Sequence, residues 1–144
     1  MKGFVCKVCG FVSINGSAPD KCPVCGAPKT SFVENQNAIK TAKDEVKLSE
    51  KHTPVIVMER KCGLLGEGCT DVHVKIGSVE HPTLPEHHIM HLDFYLDNEF
   101  ISRIILTPEK LHPAGALHFK AVSGKLSVVE LCNIHGAWIG EENI

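Results

Sequence analysis

Two pairs of cysteines near the start of the chain have the spacing of metal ligands. Cys6 and Cys9 form the first pair, and Cys22 and Cys25 form the second. A Cys-x-x-Cys spacing lets two thiolates reach one ion from a tight turn, and the glycine after each pair permits that turn. Four thiolates predict a tetrahedral site that suits Zn²⁺ or a single iron. The alternative is two disulfides in a secreted knot, which a start without an apolar signal core disfavours.

A second group of candidate ligands is spread over three later segments. These segments are a Glu-Lys-His triplet that ends at His52, a stretch from His81 to His88, and Cys-Asn-Ile-His at 132–135. A cysteine and a histidine three residues apart can bind one ion from a single turn. Two prolines between His81 and His87 restrict how far those imidazoles can move. Each segment alone is a weak signal, and together they predict a second metal site.

The elements that must position these residues divide into three stretches. Residues 1–35 carry short apolar pieces between turn residues and are too few to fold by apolar burial alone, so a bound metal must stabilise them. Residues 36–48 are polar and lysine-rich, and we expect a linker or a short helix there. Residues 49–144 hold six or seven short strand-like runs separated by turn signals, which predicts an antiparallel β-sandwich. The expected fold is mainly β, a small metal knuckle followed by a sandwich.

Composition excludes several classes of function. The chain has 144 residues, 43% of them apolar and 22% charged, which is typical of a globular protein. A net charge of -2 gives no basic field for nucleic acid. No apolar run reaches the roughly 18 residues of a membrane span. We therefore expect a cytoplasmic protein whose seven cysteines serve as thiols and ligands rather than disulfides. We also expect a homo-oligomer, a dimer or tetramer, because small sandwiches often cover an exposed sheet edge with a second copy.

The N-terminal cysteine motif resembles the rubredoxin-like domain of rubrerythrins. The matching residues are Cys-Lys-Val-Cys-Gly at 6–10 and Cys-Pro-Val-Cys-Gly at 22–26. The resemblance covers about the first 35 residues. It implies a one-electron Fe(Cys)₄ centre, and Zn²⁺ in place of the iron stays open because the four cysteines alone suit both metals.

The larger part of the chain, residues 48–144, resembles superoxide reductases, the family that includes desulfoferrodoxin and neelaredoxin. The matching elements are Glu-Lys-His, His-Pro followed four residues later by His-His-Ile, and Cys-Asn-Ile-His-Gly with Trp shortly after. The resemblance implies an immunoglobulin-like sandwich with one non-haem iron, four equatorial histidines and an axial cysteine. The implied imidazoles are His52, His81, His87 (rather than His88) and His135, the thiolate is Cys132, the active-site cation is Lys51, and the mobile carboxylate is Glu50.

The activity that this resemblance implies is one-electron reduction of superoxide to hydrogen peroxide. Five ligands leave a sixth position for a small anion, and Lys51 adds positive charge beside it. The Fe(Cys)₄ centre is a candidate relay from an external donor such as rubredoxin or a rubredoxin reductase system. The chain departs from desulfoferrodoxins, which carry an adjacent cysteine pair where this chain has its second Cys-x-x-Cys. The alternatives are a rubredoxin-like electron-transfer protein without superoxide chemistry, a zinc-binding interaction module, and a superoxide dismutase.

Several histidines and cysteines fall outside both candidate sites. His73, His91 and His118 lie on the polar phase of alternating strands, so we expect them to face solvent. Cys62 and Cys69 flank a glycine-containing loop and match no ligand position of the family. They could pair or bind a metal, and we expect free thiols in a reducing compartment.

Overall fold

The computed structural model describes residues 1–121 and 123–144. Within these residues no helix is long and apolar enough to cross a membrane. The elements in chain order are β1 (Gly3–Cys6), β2 (Val12–Ser13), a 3₁₀ turn (Lys29–Ser31), β3 (Phe32–Asn35), β4 (Ile39–Lys40), α1 (Val46–His52), β5 (Pro54–Glu59), β6 (Thr70–Ile76), β7 (Ile89–Leu96), β8 (Glu99–Ile105), β9 (Ala114–Phe119), β10 (Lys125–Cys132) and β11 (Gly136–Asn143).

Two sheets form the sandwich. The larger sheet has the strand order β4-β11-β10-β7-β8, and the smaller has the order β5-β6-β9. Neighbouring strands are antiparallel except for the short β4, which runs parallel to β11. The apolar phase of β6 faces the interior, where Val72, Val74 and Ile76 are buried with Phe94. The prediction of a mainly β fold with a sandwich is confirmed.

The N-terminal unit, a sheet of order β2-β1-β3 with its cysteine turns, packs on the outer face of the larger sheet. Phe11 stacks on Tyr95 with 6.1 Å between ring centroids and meets Phe100 edge-on at 5.2 Å. The Tyr95 hydroxyl donates to the Val12 carbonyl oxygen at 2.6 Å. Apolar burial therefore joins the small unit to the sandwich and adds a second core on the far side of the sheet.

Strand β7 is buried on both faces because it lies between these two cores. Its alternating pattern predicts one face in water, and the expectation that His91 is solvent-exposed is wrong, since His91 is only 6% exposed. The N-terminal unit covers the face that the alternation leaves polar. His73 and His118, on the smaller sheet, are exposed as expected.

The stretch between the two units holds regular structure. Ile39 is buried where β4 adds to the edge of the larger sheet. Helix α1 begins at Val46 and ends at His52, so its last residue is one of the candidate ligands.

Candidate metal centre

Four histidine rings form a square in the interior. Going round in the order His52, His81, His87 and His135, neighbouring ring centroids are 4.6 to 4.9 Å apart. The diagonal from His52 to His87 is 6.5 Å. Cys132 Sγ lies 3.6 Å from His135 Nδ1. One potential ligand atom from each of these five side chains lies within 4.8 Å of all the others. The structure thus brings together three segments that are separated by up to 83 residues of sequence.

The His52 corner depends on close packing behind helix α1. The backbone oxygen of Glu50 accepts hydrogen bonds from the Val79 amide at 3.0 Å and the Ser78 hydroxyl at 3.3 Å. Gly77 has a φ of +79°, and a Cβ there would lie 2.6 Å from that same oxygen. A side chain at residue 77 would therefore push α1 away from the loop and displace His52.

The His87 corner is tied to the Cys132 turn by Asn133. The Asn133 side chain accepts from the His88 amide at 2.9 Å and donates to the Glu86 carbonyl at 3.0 Å. A two-way backbone pair between Leu84 and His87, 3.0 Å in each direction, tightens the loop. The His88 ring lies near the Leu84 carbonyl, at 3.1 Å, and is not part of the five-residue cluster. Asn133 is a positioning residue that motif reading did not single out.

A buried carboxyl group holds the His52 ring from behind. Glu130 Oε1 lies 3.1 Å from His52 Nδ1, and both side chains are at most 1% exposed. Trp138 stacks on the same ring at 5.1 Å between centroids. This contact occupies Nδ1 and leaves the other ring nitrogen for a ligand role, the usual arrangement of a metal-binding histidine. Because Glu130 sits 78 residues from His52, no local signal in the sequence could reveal the contact.

Burial favours the neutral form of His52, His81 and His87, which is the form that binds metal. It lowers the pKa of His52 to about 3 and that of His81 to about 4, with further lowering from neighbouring rings. It also lowers the pKa of His87. Burial raises the pKa of Glu130 well above its ordinary value and that of Cys132 above the usual thiol value.

Two buried ring nitrogens test whether the cluster fits a metal ion. The Nε2 atoms of His81 and His87 are buried and have no hydrogen-bond partner among the described residues. A buried polar atom without a partner costs free energy, so native structures rarely keep one without a ligand. Neutral imidazoles, one thiol and two orphaned nitrogens fit an ion of the iron or zinc type.

The two charged residues beside the cluster lie on the exposed side of α1. Glu50 and Lys51 are both solvent-exposed. The positive charge of Lys51 contributes to the lowered pKa of His81 and of His87, so Lys51 acts electrostatically on that side of the square. This positive charge favours the approach of an anion to that side of the cluster.

The four N-terminal cysteines also converge. Cys6 and Cys25 sulfur atoms are 3.7 Å apart, and those of Cys9 and Cys22 are 3.6 Å apart. A tetrahedral ion with metal–sulfur bonds of about 2.3 Å places its sulfur ligands about 3.8 Å apart. An amide hydrogen bond from Ala27 lowers the pKa of the exposed Cys25 to about 7, whereas burial raises that of Cys9 to about 12. The spacing fits a single tetrahedral ion.

The two clusters lie on opposite faces of the same strand. Leu131 points to the N-terminal unit, while the next residue, Cys132, belongs to the sandwich interior. A Cβ on Gly10, which follows Cys9, would lie 3.0 Å from Leu131 Cδ2. Arg103 Nη1 also donates to the Cys9 carbonyl at 2.9 Å. The cysteine cluster therefore sits directly behind the sheet that carries Cys132.

Two family models match this chain. The desulfoferrodoxin model matches residues 44–141. The rubredoxin-like domain of rubrerythrin matches residues 4–33. The first match contains all five residues of the histidine–cysteine cluster, and the second contains all four N-terminal cysteines.

Relatives and solved structures agree with these matches. A desulfoferrodoxin homolog of Archaeoglobus fulgidus is 32% identical over 139 residues, covering 96% of this chain and 94% of that protein. A superoxide reductase of Pyrococcus horikoshii is 35% identical over 103 residues, covering 64% of this chain and 85% of that protein. The structure of a superoxide reductase (neelaredoxin) from Archaeoglobus fulgidus in the reduced form superposes with a TM-score of 0.59 at 31% identity, covering 75% of this chain and 98% of that one.

Proposed function

Because this chain belongs to the desulfoferrodoxin family, we propose that it is a superoxide reductase that produces hydrogen peroxide. His52, His81, His87, His135 and Cys132 would hold the iron. The observation that carries the proposal is the square of four histidine rings with a cysteine sulfur next to it. Four imidazoles and one thiolate are the donor set that the resemblance to superoxide reductases implies.

When bound, the iron supplies the single electron that turns superoxide, after uptake of two protons, into hydrogen peroxide. The protein's part is to favour neutral imidazoles, which burial does for His52, His81 and His87. Glu130 orients the His52 ring through its contact with Nδ1. With Cys132 as its only anionic ligand, a bound ferrous ion would keep a net positive charge that attracts an anion.

Lys51 and Glu50 act at the solvent side of the site. The Lys51 ammonium group draws superoxide toward the cluster and donates a hydrogen bond or a proton to the reduced oxygen species. Its position on exposed α1, next to His52, supports this role. Glu50, exposed on the same helix, would be the carboxylate available to a bound iron.

The N-terminal cysteines are proposed to hold the iron that relays electrons. Contact of Gly10 with Leu131 supports electron transfer within one chain, since Leu131 precedes the ligand Cys132. Electrons from a rubredoxin-type donor enter on the solvent side, where Cys25 is exposed and Val8 is 67% exposed. We propose that residues 1–35 form the rubredoxin-like unit, residues 36–48 the linker and residues 49–144 the superoxide reductase unit.

The cysteines and the exposed edge of the larger sheet bear on the compartment and on the oligomeric state. A reducing compartment such as the cytoplasm agrees with seven cysteines, all among the described residues, that form no disulfide. A dimer or tetramer would cover apolar side chains on the edge strand β8, where Ile105 is 73% exposed and Ile101 is 45% exposed.

Product stoichiometry tests this function. The iron-loaded, reduced protein is mixed anaerobically with superoxide, and peroxide and dioxygen are both measured. A reductase yields one peroxide for each superoxide and no dioxygen, whereas a dismutase yields half as much peroxide together with dioxygen. A pure electron-transfer protein yields no peroxide beyond spontaneous dismutation, and that result would overturn the proposal.

Two neighbouring histidines supply a matched pair of variants. His87→Ala removes a cluster side chain, and we expect loss of iron and of superoxide reduction. His88→Ala removes a ring whose hydrogen-bond partner is the Leu84 carbonyl, and it keeps the hydrogen bond from the His88 amide to the Asn133 side chain. Equal losses in both variants would show that the His87 assignment is wrong.

A further inference from the structure

A third group of ligand-type side chains lies at the far end of the smaller sheet. Cys62, Cys69, Asp71 and His118 each place one potential ligand atom within 4.8 Å of all the others. Both cysteines are buried, at 3% and 6% exposure. Asp71 and His118 are direct cross-strand partners on β6 and β9, so the sheet register fixes them side by side.

Three of the four distances within this group match a tetrahedral ion, and the fourth, between His118 Nδ1 and Asp71 Oδ1, is that of a direct hydrogen bond. His118 Nδ1 lies 3.3 Å from Cys62 Sγ and 3.5 Å from Cys69 Sγ. Cys69 Sγ lies 3.8 Å from Asp71 Oδ1, and His118 Nδ1 lies 2.5 Å from the same oxygen. Zinc bonds of about 2.3 Å to sulfur and 2.0 Å to nitrogen or oxygen give ligand separations of about 3.3 to 3.8 Å. A disulfide between the two cysteines would not need a single histidine nitrogen close to both sulfur atoms.

The turn at Cys62 repeats the backbone of the other cysteine turns. The amide of Gly66 donates to the Cys62 carbonyl at 3.1 Å, as Gly10 does to Cys6 and Gly26 to Cys22, both at 2.9 Å. All three glycines have positive φ, between +73° and +79°.

The sulfur atoms in these turns also share their partners. Leu65, three residues after Cys62, donates its amide to Cys62 Sγ at 3.3 Å. The amides at the same offset donate to sulfur at Cys22 and Cys132. Amide donors of this kind stabilise a thiolate bound to a metal. The loop is therefore built like a metal-binding knuckle, although its sequence lacks a second cysteine three residues on.

We propose that Cys62, Cys69, Asp71 and His118 bind one Zn²⁺ ion. Two thiolates, one imidazole and one carboxylate form a closed tetrahedral set without an open position, which is typical of structural zinc. The ion fastens the loop from residue 60 to residue 69, which contains three glycines and exposes Leu64 and Leu65. The six residues of β5 place this site about 20 Å from His52, so it is separate from the proposed iron centre.

Zinc counting on the full chain tests this assignment. Protein with iron in both other sites is incubated with Zn²⁺, freed of loose metal by gel filtration, and analysed for zinc and iron. Wild type should hold one zinc per chain, and the Cys62→Ser/Cys69→Ser variant should lose it with unchanged iron. His118→Asn should weaken zinc binding by more than the roughly 10- to 100-fold that loss of an outer-shell partner costs, because it removes a ligand. His73→Asn, another exposed histidine of the same sheet, should leave it unchanged.

Trypsin gives a second readout. Arg60 and Lys61 are exposed cleavage sites at the start of the loop. Cleavage there should be at least several-fold faster for the cysteine variant or after zinc is chelated. Equal zinc in wild type and the cysteine variant would overturn the proposal. So would a purified chain whose mass is lower by two hydrogens because Cys62 and Cys69 have formed a disulfide.

Discussion

At the scale of single residues, two lysines of helix α1 differ in their distance along the chain from the cluster ligand His52. Lys51 and Lys47 are both exposed lysines on α1, but Lys51 lies next to His52. We expect Lys51→Ala to slow superoxide reduction about tenfold at low ionic strength, because it removes a cation near the site. The iron content should not change.

The ionic-strength dependence of the rate checks this prediction by pulse radiolysis. The rate constant for Lys51→Ala should depend on salt less steeply than that of wild type. Lys47→Ala, one turn earlier, is the matched control and should behave like wild type. A Lys51→Ala rate and salt dependence equal to those of wild type would mean that this lysine does not guide superoxide.

His91 shows how one buried ring links stability to pH. Burial, with a contribution from Arg103, lowers the pKa of His91 from 6.5 to about 3. Between pH 6.5 and pH 3 this histidine is protonated in the unfolded chain but not in the folded chain. The free energy of unfolding therefore falls as the pH drops through this range. The slope contributed by this residue is about 1.4 kcal/mol per pH unit.

The variant His91→Gln removes that linkage. The free energy of unfolding is measured with urea at pH 7 and pH 5. Between these two values wild type should lose about 2 kcal/mol more than the variant. An unchanged difference across this range would mean that His91 titrates normally in the folded chain.

At the scale of elements, a charged pair anchors the N-terminal unit to the large sheet. Arg103 on β8 makes two bonds of 2.5 and 2.6 Å to the Asp93 carboxylate on β7, and it also donates to the Cys9 carbonyl. Both side chains are buried, at 9% and 1% exposure. Burial raises the pKa of Asp93 and the Arg103 contacts oppose that shift.

Removing the cation should be costly. We expect Arg103→Met to lower the free energy of unfolding by about 3–5 kcal/mol, because it leaves a buried carboxylate without its partner. The exposed pair of Lys125 and Glu141, 2.8 Å apart, provides the control. Lys125→Met should cost at most about 1 kcal/mol in the same denaturation experiment. Similar losses for both variants would contradict a special role for the buried pair.

Hydrophobic period predicts the strands well and their surroundings less well. The alternating phase from Val72 to Ile76 identifies a strand and its buried face, as the structure shows. The same reasoning places His91 in water, and it fails because the N-terminal unit covers that face of β7. The alternation of apolar and polar residues indicates which face of a strand packs into the sandwich interior. It carries no information about a second unit that covers the other face.

Motif spacing in the sequence points to the two main clusters because part of each cluster is held within a single turn. Cys132 and His135 are held by one turn, so their proximity is local and visible in sequence. Contacts such as Glu130 with His52, or Cys62 with His118 at 56 residues' separation, depend on which strands pair and in which register. Sequence alone does not fix that register, so these partners emerge only from the fold.

At the scale of the whole molecule, one layer of sheet separates the two proposed iron sites. Leu131 and Cys132 lie on opposite sides of β10. Leu131 faces the four-cysteine cluster, and Cys132 belongs to the histidine–cysteine cluster. We expect protein with zinc in the four-cysteine site and iron in the other to reduce one equivalent of superoxide normally. Steady turnover with reduced rubredoxin should fall at least about tenfold, because zinc has no redox chemistry. Equal turnover by the zinc-substituted and all-iron forms would exclude a relay.

We propose that four histidines and Cys132 together bind one iron atom. The visible spectrum of the oxidised, iron-loaded protein tests it most directly, with the Fe(Cys)₄ chromophore as an internal control. Wild type should show a second charge-transfer band, and Cys132→Ser should lose that band while the Fe(Cys)₄ spectrum remains. A band of the same intensity in Cys132→Ser would show that this thiolate is not a ligand, and the proposed catalytic centre would be wrong.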